Sequence, residues 1–387
     1  MKVAVFFPDG DLVAGVQARA LALHAGLAAH GVKTEAWSSA RAGSPLAEAC
    51  GRAGMTLVSQ SIRSTPPGRP FALLAWLALA PLRLPFLAWS LRRSGCQLLH
   101  LNGLLHFLPA LAGRLVGLPC LWHLIGDHYP KWLVRLLVPL ARLLARTLVT
   151  VDPAMSAFYG VETCPVIAEP LIPSKPKGSR QLWADRLGFD PQQAADERWV
   201  IGVGHWNKAK NWQAFMDLAD VLLHSRQQAP LPNSDTKEKP ALMRFFLVGE
   251  PVAGQLDLAR RIRHWAEQPR CHALSHGEIR AELHLFDLLL HPAKREGTPL
   301  VLLEAVAAGL PVLAWPAGAI ASMAGDYPQH IRLLEEDWPK GWPEAVQDCL
   351  ARGRPPRVEM LAKHRLETCL LEHLLAYRAT IASRANG

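Results

Sequence analysis

Glu296 and Glu304 are the side chains whose surroundings best define a chemistry. They lie in HPAKREGTPLVLLEAVAAGLPVLAWPAG, residues 291–318, on either side of a helix start. Thr298 can cap that helix, Pro299 suits its first turn, and Gly309 followed by Pro311 ends it. Every other position from 300 to 308 is apolar, so the helix is expected to be buried on all faces with Glu304 inside it. A carboxylate taken out of water without donors is costly, and the hydroxyl groups of a ligand would supply them. The amides at the helix start, at the positive end of its dipole, form an anion site beside Glu296. Together these residues suit a ligand rich in hydroxyls and negative charge. The plainer alternative is a capped core helix with a solvated Glu296 and a hydrogen-bonded Glu304.

Such a helix needs a sheet behind it. Residues 3–7 read as a buried strand, followed by a loop over 8–15, a helix to 30 and a strand over 33–37. Strands at 97–101, 119–124, 147–151 and 165–168, with a helix over 105–116, continue the series. A second series has strands at 199–203, 244–248, 287–291 and 311–315, with a polar surface loop over 227–240. The fold class is therefore α/β, with doubly wound parallel sheets. A chain of 387 residues exceeds one ordinary core. We expect a Rossmann-like domain over 1–172, a polar interdomain connection over 173–198, a second Rossmann-like domain over 199–360 and a last helical segment over 361–387.

The run Glu296-Gly297, Leu300, Leu303-Glu304-Ala305, Ala307, Gly309, Pro311-Val312 resembles the E-x7-E signature of retaining glycosyltransferases of the GT-B fold. The resemblance is to family 4, whose members carry EGxxLxxLEAxAxGxPV. It implies two Rossmann-like domains facing across a cleft, with a C-terminal helix returning to the first. It also implies roles: Glu296 contacts hydroxyls of the donor sugar, Glu304 contacts the ribose, and the backbone around Gly297, Thr298, Pro299 and Leu300 faces the diphosphate. After the strand at 199–203, Gly204-His205-Trp206-Asn207-Lys208-Ala209-Lys210 stands where the family has Gly-Arg-x-x-x-x-Lys-Gly. Lys210 then binds the diphosphate with Lys208 as a neighbour. His205 lacks the fork and fixed charge of the usual guanidinium. Gly249, in Leu247-Val248-Gly249-Glu250, resembles the strand end that lines the nucleotide.

Over the first half the resemblance rests on element order. Gly10 and Gly15 lie in the first strand-helix loop, Asn102 and His123 close strands, and Asp127 follows in a loop; these five are the acceptor-side candidates. Asp127, Glu296 and Lys210 are the candidate catalytic set. The triplet Asp9-Gly10-Asp11 reads as a turn, so neither metal nor cofactor is expected.

Lys and Arg total 42 against 33 acidic residues, a net charge of +9. The stretches 71–93 and 131–146 combine apolar bulk with arginines; Pro81, Arg83 and Pro85 interrupt the first as a membrane span, and it reads as one or two helices. Such helices suit an anionic membrane surface. Nucleic acid is not expected, since no recognition helix, finger or aromatic platform accompanies the charge. Seven cysteines without a CxxC pair, and a start lacking signal-peptide regions, fit a cytoplasmic protein, peripheral at the inner membrane face. HExxH, GxxxxGK[ST] and GxSxG are absent. The expected activity is retaining, metal-independent transfer of a sugar from a nucleotide-diphosphate sugar, UDP being the common base, to a glycan or lipid-linked acceptor. Cell-surface polysaccharide or lipopolysaccharide synthesis is the expected setting. A GT-B nucleotide-sugar epimerase and a non-catalytic nucleotide-sugar or glycan binding protein remain alternatives.

Overall fold

The computed structural model describes residues 1–7, 15–60, 70–126, 129–172, 174–225, 242–252, 254–275, 279–335, 339–358 and 361–383. The chain divides into two compact units, residues 1–172 with 362–387, and residues 173–361.

In the first unit the order is β1 (Lys2–Phe6), α1 (Gly15–Ala28), β2 (Lys33–Ser38), α2 (Pro45–Arg52), β3 (Thr56–Ser59), α3 (Pro70–Ser94) and β4 (Leu98–Asn102). Then come α4 (Phe107–Leu115), β5 (Cys120–Leu124), α5 (Lys131–Leu144), β6 (Thr147–Thr150) and α6 (Pro153–Tyr159). The strands form one parallel sheet in the order β3-β2-β1-β4-β5-β6. β4 and β5 are buried along their whole length, as parallel strands covered on both faces must be. Leu87, Leu108, Val138 and Met155, from α3, α4, α5 and α6, share one core on one side of the sheet. Leu23 and Leu46, from α1 and α2, belong to the core on the other.

The second unit opens with α7 (Arg180–Leu187) and α8 (Pro191–Asp196) and continues through β7 (Arg198–Val203), α9 (Trp212–Ser225), β8 (Met243–Val248), α10 (Leu256–Trp265) and β9 (Cys271–Leu274). It ends with β10 (Leu288–His291), α11 (Leu300–Ala307), β11 (Val312–Ala314), α12 (Ile320–Asp326), β12 (Ile331–Leu333) and α13 (Trp342–Arg352). Its parallel sheet has the order β12-β11-β10-β7-β8-β9. Counted from the first strand of each unit, both sheets follow the same doubly wound plan, with order reversing beside the first strand. α14 (Leu366–Ala382) follows in sequence but packs in the first unit, where Cys369, Leu370 and Tyr377 join the α1 core.

Two expectations change, and two features were open or unread. Residues 165–168 form no named strand; Val166 makes only an isolated bridge to Thr150. The short strands β3, β9 and β12 lacked a readable alternation. Residues 173–198 belong to the second unit rather than forming a bare connection. There Trp183 packs its ring 5.3 Å from Phe286 and 5.5 Å from Phe246, and Arg180 binds Asp287 at 2.6 Å. Of the two readings for residues 71–93, one helix or two, the structure has one, and α3 runs unbroken through Pro81 and Pro85. Both prolines sit on its exposed side, as do residues 77 and 81, whose carbonyls lose a helical donor and can bond to water instead. Among the described residues, no helix is long and apolar enough to cross a membrane. The polar run 227–240 lies outside the described residues.

Candidate functional site

The carboxyl ends of β7 and β10 meet at the point where strand order reverses in the second sheet, the usual place for a ligand in an open α/β fold. Gly204 leaves β7 with φ +150, and its amide donates to the Val248 carbonyl at 2.9 Å. Gly249 passes so close that a Cβ there would lie 1.9 Å from the Gly204 oxygen. Asn207 caps the short turn Lys208–Lys210, its side chain accepting from the Lys210 amide at 3.2 Å. The Lys294 amide donates to the Ala209 carbonyl at 2.9 Å, which joins this turn to the loop after β10.

Those constraints bring Lys210 and Glu296 together. The Lys210 ammonium pairs with Glu296 Oε1, and His291 Nε2 donates to the same oxygen at 2.8 Å. All three side chains are largely withdrawn from solvent, His291 completely. Burial pushes the Glu296 carboxyl upward, but the hydrogen bond from His291 and the charge of Lys210 outweigh it and hold the group at about 2. Burial lowers His291 from its ordinary value, so it stands as a neutral donor. An ionised carboxylate, a cation and a helix start thus share one strand-end corner, able to accept from hydroxyls and to neutralise phosphate.

Gly318 holds the loop from the other side. With φ +55, it lies where a Cβ would come 1.7 Å from the Glu296 carbonyl oxygen, and the Ala319 amide donates to the Gly297 carbonyl at 3.0 Å. Both close approaches are to backbone, which cannot rotate away. Gly249→Ala and Gly318→Ala are each expected to lower stability by about 3 kcal/mol or more in urea unfolding. A loss below 1 kcal/mol in either would show that these backbones can separate.

Some expectations do not hold. The cap of α11 is Pro299, not Thr298, and it makes no side-chain cap bond. The helix is not buried all round, since Leu300, Val301 and Ala307 are partly accessible. Glu304, largely buried, has a cation beside it before any ligand binds, with Arg280 Nε 3.8 Å from its Oε1. His205 and Lys208 are exposed, and the His205 carbonyl accepts from Trp212 Nε1 at 2.9 Å. His291, Arg280, Asn207 and Gly318 had not been singled out. A signal existed for His291, which ends a strand five residues before Glu296.

In the first unit, Asn102 closes β4 at the corresponding reversal and donates to the Phe6 carbonyl of β1 at 3.3 Å. His123 is 3% exposed and packs with its ring 5.8 Å from those of His100 and His373. It therefore belongs to the core and is withdrawn from contact with an acceptor. Gly15 opens α1. Gly10 and Asp127 lie outside the described residues, as do the other members of the Asp9 to Asp11 triplet.

Residues 198–352, which include Lys210, His291, Glu296 and Glu304, match the family model "Glycosyl transferases group 1". No curated protein sequence matches the chain. Among solved structures, Anabaena Alr3699/HepE in complex with UDP-glucose is similar over 100% of this chain and 98% of its own, at 14% identity and a TM-score of 0.70. A glycosyltransferase from Rickettsia africae ESF-5 is similar over 98% of both chains, at 12% identity and a TM-score of 0.71. WaaG, a glycosyltransferase involved in lipopolysaccharide biosynthesis, is similar over 99% of this chain and 98% of its own, at 16% identity and a TM-score of 0.61. The chain thus has the fold of the GT-B glycosyltransferases, and its residues 198–352 are similar to the glycosyl transferases group 1 model.

Proposed function

We propose that the protein is a retaining glycosyltransferase that moves a sugar from a UDP-sugar to a glycan or lipid-linked acceptor. One observation carries the reading: Lys210 and Glu296 meet at the strand-order reversal beside the start of α11, within the matched region. Glu296 accepts from hydroxyls of the donor sugar, and Lys210 neutralises the diphosphate, helped by Lys208 and by the backbone from Gly297 to Leu300. Glu304 receives the ribose alongside Arg280. UDP is the base of choice because the Anabaena relative was solved with UDP and with UDP-glucose. With cations and helix amides at the leaving group, the reaction needs no divalent metal. The acceptor is assigned to cell-surface polysaccharide or lipopolysaccharide synthesis at the inner face of the membrane, in keeping with the WaaG likeness.

The test is nucleotide release from a panel of nucleotide sugars, with and without a lipid extract that contains acceptors. Acceptor-dependent UDP release is the expected result, unchanged within about twofold by EDTA. Release that ignores the acceptor would favour an epimerase or hydrolase, and donor binding without release would leave a binding protein. A loss of activity on chelation, restored by a divalent ion, would overturn the metal-free reading.

A further inference from the structure

α5 presents three sectors around its axis. Val134, Val138 and Ala141 span about 60° and are buried in the core. Lys131, Arg135 and Arg142 fall within about 40° of one another beside them. Trp132, Leu136, Leu140 and Leu143 cover the next 80° or so and are exposed, Trp132 to 66% and Leu143 to 65%. The cationic sector borders a pocket of about 630 Å³ between α5 and α6, lined by all three cations and by Phe158 and Tyr159. Arg142 Nη2 donates to the Gly160 carbonyl at 2.9 Å and so is set across that pocket. Among the described residues, neither Lys131 nor Arg135 enters an ion pair.

The outward apolar face continues on neighbouring helices. α3 exposes Leu82, Phe86 and Trp89, with the Arg93 guanidinium 4.7 Å from the Trp89 ring centroid, and α4 exposes Leu111 and Leu115. Eleven of the nineteen exposed large apolar side chains among the described residues lie on α3, α4 and α5. Packed in one layer against one side of the first sheet, these helices turn their other faces away from it. Charge selects the occupant. Residues 70–146 contain eight Lys and Arg but a single acidic residue, Asp127, where the chain's average density would give about seven acidic residues. A protein partner would be served by either sign of charge at such a rim. Systematic removal of negative charge around an apolar face suits an anionic bilayer.

We propose that the α5–α6 pocket seats the phosphate of an anionic membrane lipid, held by Lys131, Arg135 and Arg142, while the exposed stripe of α5 enters the boundary between headgroups and acyl chains. Arg side chains can lay their stems on apolar surface and lift their charge to the phosphate layer, and the Arg93 guanidinium already stands at the edge of the apolar face, over Trp89. The proposal does not depend on sugar transfer, because binding to vesicles needs no turnover.

Flotation of the full-length protein with vesicles tests it. Vesicles of phosphatidylcholine with about a third phosphatidylglycerol should carry the protein up at low salt, and pure phosphatidylcholine should not. Lys131→Glu with Arg135→Glu, both exposed and free of ion pairs, should lower the partition coefficient about tenfold or more. Trp132→Ser with Leu136→Ser should weaken binding to the same vesicles without altering the response to salt. Unchanged circular dichroism and melting would show that the variants fold. Equal binding to neutral and anionic vesicles, or full retention by the double Glu variant, would overturn the pocket assignment. Release of the protein from vesicles by millimolar inorganic phosphate would also overturn it, pointing instead to a site for soluble phosphate. If no vesicle binds, the exposed face serves something other than a bilayer and the proposal falls.

Discussion

Acidification from pH 7.5 to pH 5 is expected to unfold the first unit. Four histidines from four elements meet in its core: His24 of α1, His100 of β4, His123 of β5 and His373 of α14, each at most 3% exposed. Neighbouring rings stand 5.8 to 6.0 Å apart, and the Nε2 of every one lacks a hydrogen-bond partner. Their other nitrogens are engaged where contacts are resolved: His24 with Thr34 at 3.2 Å, His100 with the Tyr377 hydroxyl at 2.7 Å, and His373 donating to the Cys369 carbonyl at 2.8 Å. Burial lowers His24 to about 3 and His373 to about 4, and it pushes His100 and His123 well below 6.5. Charged neighbours reinforce the shift, since each imidazolium would face another and Arg19 adds a positive charge toward His123.

Because the folded values lie below 6.5, the unfolded chain binds protons that the folded one refuses. The stability is present in full above pH 6.5 and is lost as pH falls toward the folded values. At pH 5 His24 and His373 have each removed about 2 kcal/mol, and His100 and His123 act in the same direction, so the loss is a large share of the stability of an ordinary domain. Urea unfolding followed by tryptophan fluorescence between pH 8 and pH 5 measures this, with the fully buried Trp37 and Trp122 reporting on the first unit. Replacing His24 and His373 by Gln should roughly halve the slope of stability against pH. A curve flat between pH 7 and pH 5.5 would mean that the imidazoles reach water or one another without unfolding.

That cluster was not legible in the sequence, because its members are separated by up to hundreds of positions and no spacing links them. Parallel strands and helices were legible where an apolar run ended at a glycine or proline, as at β4, β5, β7 and α11. Glu296 and Lys210 were legible as a pair only through motif resemblance, and the geometry then placed their charges in contact. The partner of Glu304 was hidden for a different reason. Arg280 sits in a 3-10 turn, Ile279–Ala281, and nothing in local pattern predicts which carboxylate such a turn will meet. α3 was open to two readings, one helix or two, because a proline rule for helix interiors assumes that the freed carbonyl is buried, and here its side of the helix faces water.

Lys210→Ala is expected to lower kcat by about 10² to 10³, the usual consequence of removing one group aimed at developing charge in a transition state. The effect on KM should be smaller than tenfold if Lys210 acts mainly on the leaving diphosphate. The same change alters Glu296. In the intact protein, His291 and Lys210 hold its carboxyl at about 2 against the pull of burial, so it is ionised at every pH where the protein is folded. That depressed value contributes stability present above the ordinary 4.5 and lost as pH falls through about 2. Without Lys210, burial remains and only the neutral His291 opposes it, so the carboxyl rises and an acid limb in kcat/KM should move toward neutral pH. Glu296→Gln in the Lys210→Ala background should then remove that limb, leaving residual activity that falls only where acid unfolds the first unit. A merely structural lysine would lower the melting temperature and leave the pH profile in place. A variant with unchanged kcat and an unshifted acid limb would show that the Lys210–Glu296 pair holds the two loops together without taking part in transfer.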